Sequence, residues 1–248
     1  MCIRDRYLDS AYADGGNGDL FKYELIYFPL TTTGVSGSRG NPENLKFPEP
    51  DDVAGVGTGS LGTNKEAYRW HWLIGNREEA DDYSRLIPFL TAFGRSADSQ
   101  YFADTNAMMD VSEWLRSFAV EILFGIGDNY AAGSQHNLYI YRRPADGRWL
   151  MFPYDMDFTF NSATNATLFP NGDLTKLTQN AANRRTYYSH IYELCQTSFN
   201  STYLTPWATH YNNFVNENLA SFMAYINTRR TFAPVSYTHL TLPTIYSV

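Results

Sequence analysis

The sequence predicts an α+β chain: a mixed N-terminal part with strands and a hairpin, followed by a helical C-terminal part. Three observations predict it. Val111, Trp114, Leu115, Phe118, Ala119, Ile122 and Leu123 recur at three- and four-residue spacing, which places them on one face of an amphipathic helix. Aromatic and branched residues crowd two short runs, 137–142 and 149–152, separated by turn residues, which is the pattern of a β-hairpin. No apolar run approaches the length that spans a bilayer.

Taken in order, Leu20 to Leu30 reads as a strand, with Lys22 and Glu24 on one side of the alternation and Phe21, Tyr23 and Leu25 on the other. The Gly-, Pro- and Ser-rich stretch from Thr31 to Gly62 reads as loop. Glu78 to Phe93 follows as a helix with Ala80, Tyr83, Leu86, Ile87 and Leu90 as its apolar stripe. Asp110 is an N-cap for the helix beginning at Val111, and Glu113 completes a capping box. The run Gly125 to Gly127 ends that helix, because glycine tolerates the left-handed conformation of helix ends, so Asp128 is presented in the loop just beyond. Asn137 to Arg142, a turn at Pro144 to Gly147, and Trp149 to Phe152 form the hairpin; Asn137 opens its first strand and Asp155 leaves its second, at the same end and close to Asp128. A turn at Pro170 to Gly172 precedes further helices. Pro206 suits the first turn of one running toward Arg229, with Trp207, Tyr211, Phe214, Leu219 and Phe222 among its buried residues.

The two ends read as foreign. Met1 to Arg6 is the translation of the mosaic-end element used in transposase-based sequencing libraries, and Val235 to Thr244 is that of its reverse complement running into adapter. Residues 1–6 and 235–248 are therefore set apart as adapter-derived, leaving 7–234 as one domain, expected to continue beyond both ends and to be cut at its N-terminus. Setting aside Arg4, Asp5 and Arg6 changes the formal charge from −7 to −8, and an acidic chain is a poor match for nucleic acid or an anionic membrane. Cys2 falls in the adapter segment. Cys195, alone and among Ile191, Leu194 and Phe199, reads as a buried, inert thiol with no disulfide framework around it.

The chemistry concentrates where acidic and amide side chains are strung along a helix end, a loop and a hairpin: Asp128, Asn137, Asp155 and Asp157. Phosphoryl transfer needs a carboxylate to position the attacking hydroxyl, and an amide oxygen with carboxylates to hold hard magnesium ions against phosphates. Singly, each residue has a plain structural reading as a loop or strand-end side chain; alternation along the second strand aims Asp155 and Asp157 to one side.

The segments Gly127 to Tyr130, His136 to Tyr141 and Trp149 to Asp157 resemble the CotH-type spore-coat protein kinases, an atypical kinase family with a D…N-Y-x-L-Y segment followed by W-x-x-x-P-W-D-x-D. Gly18 to Lys22 is similar to that family's G-D-L-Y-K segment, and Tyr187 to Phe232 to its helical C-terminal part, so the resemblance spans most of 17–232 and is specific within 110–160. Eight residues separate Asp128 from Asn137, where kinase catalytic loops have four, and Tyr154 stands where the family has Trp. The resemblance implies a kinase-like fold, with a partial N-terminal lobe, the catalytic hairpin and a helical C-terminal lobe. It implies transfer of the γ-phosphoryl group of ATP, with Mg2+ or Mn2+, to Ser or Thr hydroxyls of a protein substrate. Asp128 would act as the catalytic carboxylate, Asn137, Asp155 and Asp157 as metal ligands, and Asn137 with Lys22 as nucleotide-binding residues. A bacterial spore-coat, secreted or cell-surface location follows by the same resemblance. Two other readings stay open: a non-catalytic adhesin or structural module with this fold, and AMP transfer from the same site.

Several features carry less. Gly57 to Gly62 matches G-x-G-x-x-G letter for letter, but no lysine-bearing strand follows, so it reads as a flexible linker. His136 has no second ligand at metal spacing and reads as structural. Lys22 reads first as an exposed strand lysine, and Tyr139, Tyr141, Trp149 and Tyr154 as hairpin core rather than a sugar platform.

Overall fold

A computed structural model describes residues 3–12, 15–23, 58–69, 72–134, 137–215 and 218–241. The chain divides into two compact units interleaved in sequence: Met1–Val111 with Ser134–Tyr154, and Ser112–Gly133 with Asp155–Val248.

The first unit is built on a four-stranded antiparallel sheet. Helix α1 (Ile3–Ala11) precedes β1 (Asp19–Tyr23), β2 (Trp72–Ile74), β3 (Leu138–Arg142) and β4 (Trp149–Pro153), in the spatial order β2-β1-β3-β4. Register follows the side-chain alternation. Leu20, Tyr141 and Leu150 share one face and bury against Leu8 of α1, while Phe21 and Trp149 on the other face meet Tyr83 and Phe89. The hairpin forms where the alternation placed it. Its turn is closed by Arg143 N–H donating to the Arg148 carbonyl at 2.9 Å, with Gly147 at φ 72 and the Asp146 carboxylate accepting from the Arg143 guanidinium at 2.6 Å. Of the strand expected over Leu20 to Leu30, β1 accounts for Leu20 to Tyr23 and residues 24–30 lie outside the described residues.

The expected helix over Glu78 to Phe93 is shorter. Only a 3-10 turn at Glu78–Ala80 and α3 (Leu86–Phe93) form, after a single helical turn, α2 (Glu66–Arg69). Arg77 and Asp81 take left-handed φ values of 49° and 45°, and the Asp81 carboxylate is held by Lys65 at 2.6 Å and Arg69 at 2.5 Å, which breaks the helix between them. Ala80 and Tyr83 therefore leave the stripe, although Tyr83 is still buried and donates to the Trp72 carbonyl at 2.9 Å. Helix α4 (Ser99–Met108), unassigned from sequence, is capped by Asp98, whose side chain accepts the Tyr101 N–H at 2.7 Å. Gly57 lies outside the described residues; Gly59 packs against Gly94, and the stretch leads into α2 rather than a strand.

Helix α5 (Val111–Phe124) leads into the second unit, which continues with α6 (Gly172–Leu177), α7 (Ala181–Thr197), α8 (Ser201–Val215) and α9 (Met223–Thr241). The turn at Pro170 to Gly172 places Asn171 as the N-cap of α6, accepting the Asp173 and Leu174 amides. Cys195 is buried in α7 as expected, and burial pushes its thiol up to about 11. The helix expected from Pro206 toward Arg229 is instead two, α8 and α9, with a 3-10 turn at Leu219–Phe222 between them; Pro206 lies inside α8, not in its first turn. Trp207, Tyr211 and Phe214, expected to be buried, are exposed, because α8 turns Leu204, Ala208 and Asn212 inward instead; in the 3-10 turn Leu219 is half-buried and Phe222 is exposed, although its ring stacks on Phe160. Among the described residues no helix is long and apolar enough to cross a membrane.

Candidate functional site

Helix α5 supplies the rigid element before Asp128. Trp114, Leu115, Phe118, Ala119, Ile122 and Leu123 are buried along it, and the helix stops at Phe124 because Gly125 adopts φ 64. Only glycine suits that position: a Cβ there would strike the Tyr225 hydroxyl. At the other end of α5, the Asp110 N–H expected to serve the capping box donates to the Trp149 carbonyl at 3.0 Å, and Glu113 accepts the Ser117 hydroxyl at 3.0 Å.

In the second unit, the loop carrying Asp128 is laced to the turn carrying Asp157. Gly127 N–H donates to the Phe158 carbonyl at 3.2 Å, Phe160 N–H to the Phe124 carbonyl at 2.8 Å, and Asn161 and Ser162 N–H to the Gly125 carbonyl at 3.0 Å. Gly127 immediately precedes Asp128 and Phe158 immediately follows Asp157, so the two acidic loops run side by side. Past Asp128, the buried Asn129 caps the 3-10 turn Tyr130–Ala132 by accepting the Ala132 N–H at 3.0 Å. Tyr130 donates to Asp173 at 2.7 Å, and Asn171 Nδ2 donates to the Tyr130 carbonyl at 2.6 Å. Backbone on both sides of Asp128 is thus held by hydrogen bonds.

Asp128 is half-buried, whereas Asp155 and Asp157 are exposed and make no hydrogen bond among the described residues. The strand ends at Pro153, and Asp155 takes φ 52 before a turn that Thr159 closes by donating to the Met156 carbonyl. The alternation that aimed Asp155 and Asp157 to one side therefore does not extend to them. Their presentation comes from the turn and its lacing to the Asp128 loop.

In the first unit, Asn137 immediately precedes the Leu138↔Pro153 pair that closes the hairpin end, and Tyr154 immediately follows it. Asn137 is buried with φ 56, a conformation asparagine tolerates better than most residues. Lys22 sits on β1 opposite Tyr139, half-buried, with its ammonium 5.0 Å from the centre of the Tyr154 ring, which in turn meets the Tyr139 ring edge-on at 4.7 Å. It is thus not the solvated strand lysine that alternation favours. Tyr141 and Trp149 are core residues, as read from sequence, whereas Tyr139 is only partly buried and Tyr154, just beyond the end of β4, is exposed. His136 lies outside the described residues.

Sequence reasoning missed Asn129, Asn171 and Arg229. Both asparagines precede short helices at N-cap positions, a signal that could have found them. Arg229 carried none: it is buried in α9 and donates to the Ile122 carbonyl at 3.1 Å, the Thr164 carbonyl at 3.2 Å and the Ala166 carbonyl at 2.5 Å, tying the end of α5 to the segment beyond the Asp157 turn. Burial lowers its pKa.

Among the described residues no three His, Cys, Asp or Glu side chains group as a metal site. Exposed Asp155 and Asp157 carboxylates are nevertheless donors suited to magnesium, which commonly takes one or two carboxylates and completes its shell with water and phosphate oxygens.

A small antiparallel sheet with its hairpin in one unit, and a run of helices with two laced acidic loops in the other, define an α+β protein consistent with a partial kinase-like domain. The family model described as CotH kinase protein matches residues 35–231, well over half of the chain, and the chain belongs to that family. The match begins after Gly18 to Lys22, so that segment's likeness stands outside it. No curated protein matches the chain.

Proposed function

We propose that this protein transfers the γ-phosphoryl group of ATP to a serine or threonine hydroxyl of a protein substrate. The observation that carries the reading is the backbone lacing of the Asp128 and Asp157 loops through Gly127 N–H and the Phe158 carbonyl, which presents carboxylates from two separate loops in one neighbourhood. Membership of the CotH kinase family supports it.

In this reading the Asp128 carboxylate orients the acceptor hydroxyl and takes up its proton as the new oxygen–phosphorus bond forms and the bond to the ADP oxygen breaks. Its half-buried position keeps it pointed while limiting access of water. Asp155 and Asp157 would hold Mg2+ or Mn2+ through their exposed carboxylates. When bound with the nucleotide, magnesium supplies charge neutralisation of the phosphate oxygens. A spore-coat, secreted or cell-surface setting belongs to the same reading.

The test is magnesium-dependent transfer of labelled γ-phosphate to the protein itself or to a serine-rich acceptor, with product mass recorded. A gain of one phosphate is expected; a gain of AMP would replace phosphotransfer by nucleotidyl transfer. Asp155→Asn should lose metal-dependent nucleotide binding, and retained binding would refute its role. Asp128→Asn should keep nucleotide binding and lose transfer about a hundredfold or more; an unimpaired rate would sink its assignment. A folded wild type that neither binds nucleotide nor transfers phosphate would point to the adhesin or scaffold reading.

A further inference from the structure

The turn that carries Asp157 is bounded by two residues in the left-handed region, Asp155 at φ 52 and Phe160 at φ 66. A short polar aspartate tolerates that conformation, whereas a bulky side chain is strained by it. Among the described residues Phe160 is the only aromatic one with such an angle. Strain of this kind persists only where the surroundings over-determine it, and the residues that bear it cluster at functional sites. Around Phe160 the surroundings are rings from three elements of the second unit. Its own ring stacks on Phe222 of the 3-10 turn, with centroids 4.6 Å and planes 21° apart, meets Tyr225 of α9 edge-on at 5.2 Å, and lies 6.0 Å from Phe124 at the end of α5. Tyr225 reaches both acidic loops, because its hydroxyl also lies against Gly125, the residue that turns the chain toward Asp128. The backbone agrees with the rings: Phe160 N–H donates to the Phe124 carbonyl, and the next two amides donate to the Gly125 carbonyl.

We propose that Phe160 is the positioning residue of the 155–160 turn. The rings of Phe222 and Tyr225 hold it in the left-handed conformation, and that angle sets the turn against the Asp128 loop with the Asp155 and Asp157 carboxylates facing solvent. Freed of those rings, residue 160 returns to negative φ, and the three amides that lace the turn to the end of α5 lose their carbonyls. Phe160 acts through the two carboxylates and touches no substrate itself. The role of those carboxylates rests on the phosphotransfer reading, whereas the clamp on the turn does not.

Hydrogen exchange at single-residue resolution on the full chain reads the clamp, and Mn2+ binding in the presence of ADP, followed by water-proton relaxation, reads what it positions. Phe222→Ala removes a ring that is 38% exposed and lies outside the turn, so the variant is expected to fold. It should lower protection of the Phe160, Asn161 and Ser162 amides by roughly tenfold, leave the Arg143 amide of the hairpin turn unchanged, and weaken Mn2+ binding severalfold. Phe222→Tyr keeps the ring and should match the wild type. Phe160→Gly should protect the Asn161 and Ser162 amides about fivefold better than Phe160→Ala, because glycine takes the left-handed angle without penalty. A ring that merely filled space would leave the glycine variant no better than the alanine one, and that result overturns the proposal. Unchanged amides in Phe222→Ala and Phe160→Ala overturn it too, as do loosened amides with undiminished Mn2+ binding. Loosened amides in variants of a wild type that binds no Mn2+ uphold the clamp and refute the metal assignment of Asp155 and Asp157 instead.

Discussion

Gly125 shows how one backbone angle decides where the Asp128 carboxylate goes. Its φ of 64 ends α5, turns the chain into the Asp128 loop and leaves its carbonyl to accept from both Asn161 and Ser162. Gly125→Ala would impose the left-handed penalty of about 1–2 kcal/mol and drive a methyl group into Tyr225. Urea unfolding is expected to show at least that loss. Arg229 acts from the other side of the same loops. Arg229→Ala would leave the Ile122, Thr164 and Ala166 carbonyls without their charged donor, an expected cost of about 3 kcal/mol in the same measurement. The glycine was legible in the sequence because helix ends have a known residue preference. The arginine was not, because its three acceptors are backbone carbonyls, and a carbonyl leaves no letter in a sequence.

Strands and helices were legible in proportion to how far their own residues dictated them. The hairpin formed at the expected residues since alternation, turn residues and core burial agree there. Trp149, buried between Phe21 and Phe89, is its anchor, and Trp149→Ala is expected to cost about 3–5 kcal/mol by calorimetry or denaturant unfolding. The turn carries a pH signature. A hydrogen bond from the Arg143 guanidinium holds the Asp146 carboxyl down at about 2, so its contribution is complete above the unfolded carboxylate range near ~4 and is lost as pH falls through about 2. Asp146→Asn should therefore flatten the acid limb of a stability-against-pH curve between those values. The Glu78 to Phe93 helix failed on the same logic, since the ion pairs of Asp81 with Lys65 and Arg69 come from residues that the local stripe does not contain. On α8 the periodicity was read as a burial pattern, yet the residues it picked out face outward, because spacing defines a stripe without saying what covers it.

At the scale of the molecule, the chain passes between its two units, so residues separated in sequence are assembled within each: β1 and β2 join the hairpin in one, α5 joins the C-terminal helices in the other. Asp128, Asp155 and Asp157 belong to the second unit, Lys22 and Asn137 to the first. Cys195 gives a readout of the second unit's core. Burial lifts its thiol to about 11, so the stability it contributes is complete below the unfolded thiol value of ~8.5 and is lost as pH rises toward about 11. Cys195→Ser should lessen the alkaline loss of stability over that interval, and the wild-type thiol should resist alkylation until the protein unfolds.

By itself the sequence determined the α+β class, the hairpin, the glycine-terminated α5 and the acidic residues that follow each of them, because these depend on local periodicity and on conformational preferences of single residues. Tertiary structure alone decided the lacing of the Asp128 loop to the Asp157 turn, the break at Asp81, the three-carbonyl grip of Arg229 and the outward face of α8. Each of those joins groups distant in sequence, often backbone groups common to every residue, and only the folded chain selects which of them meet.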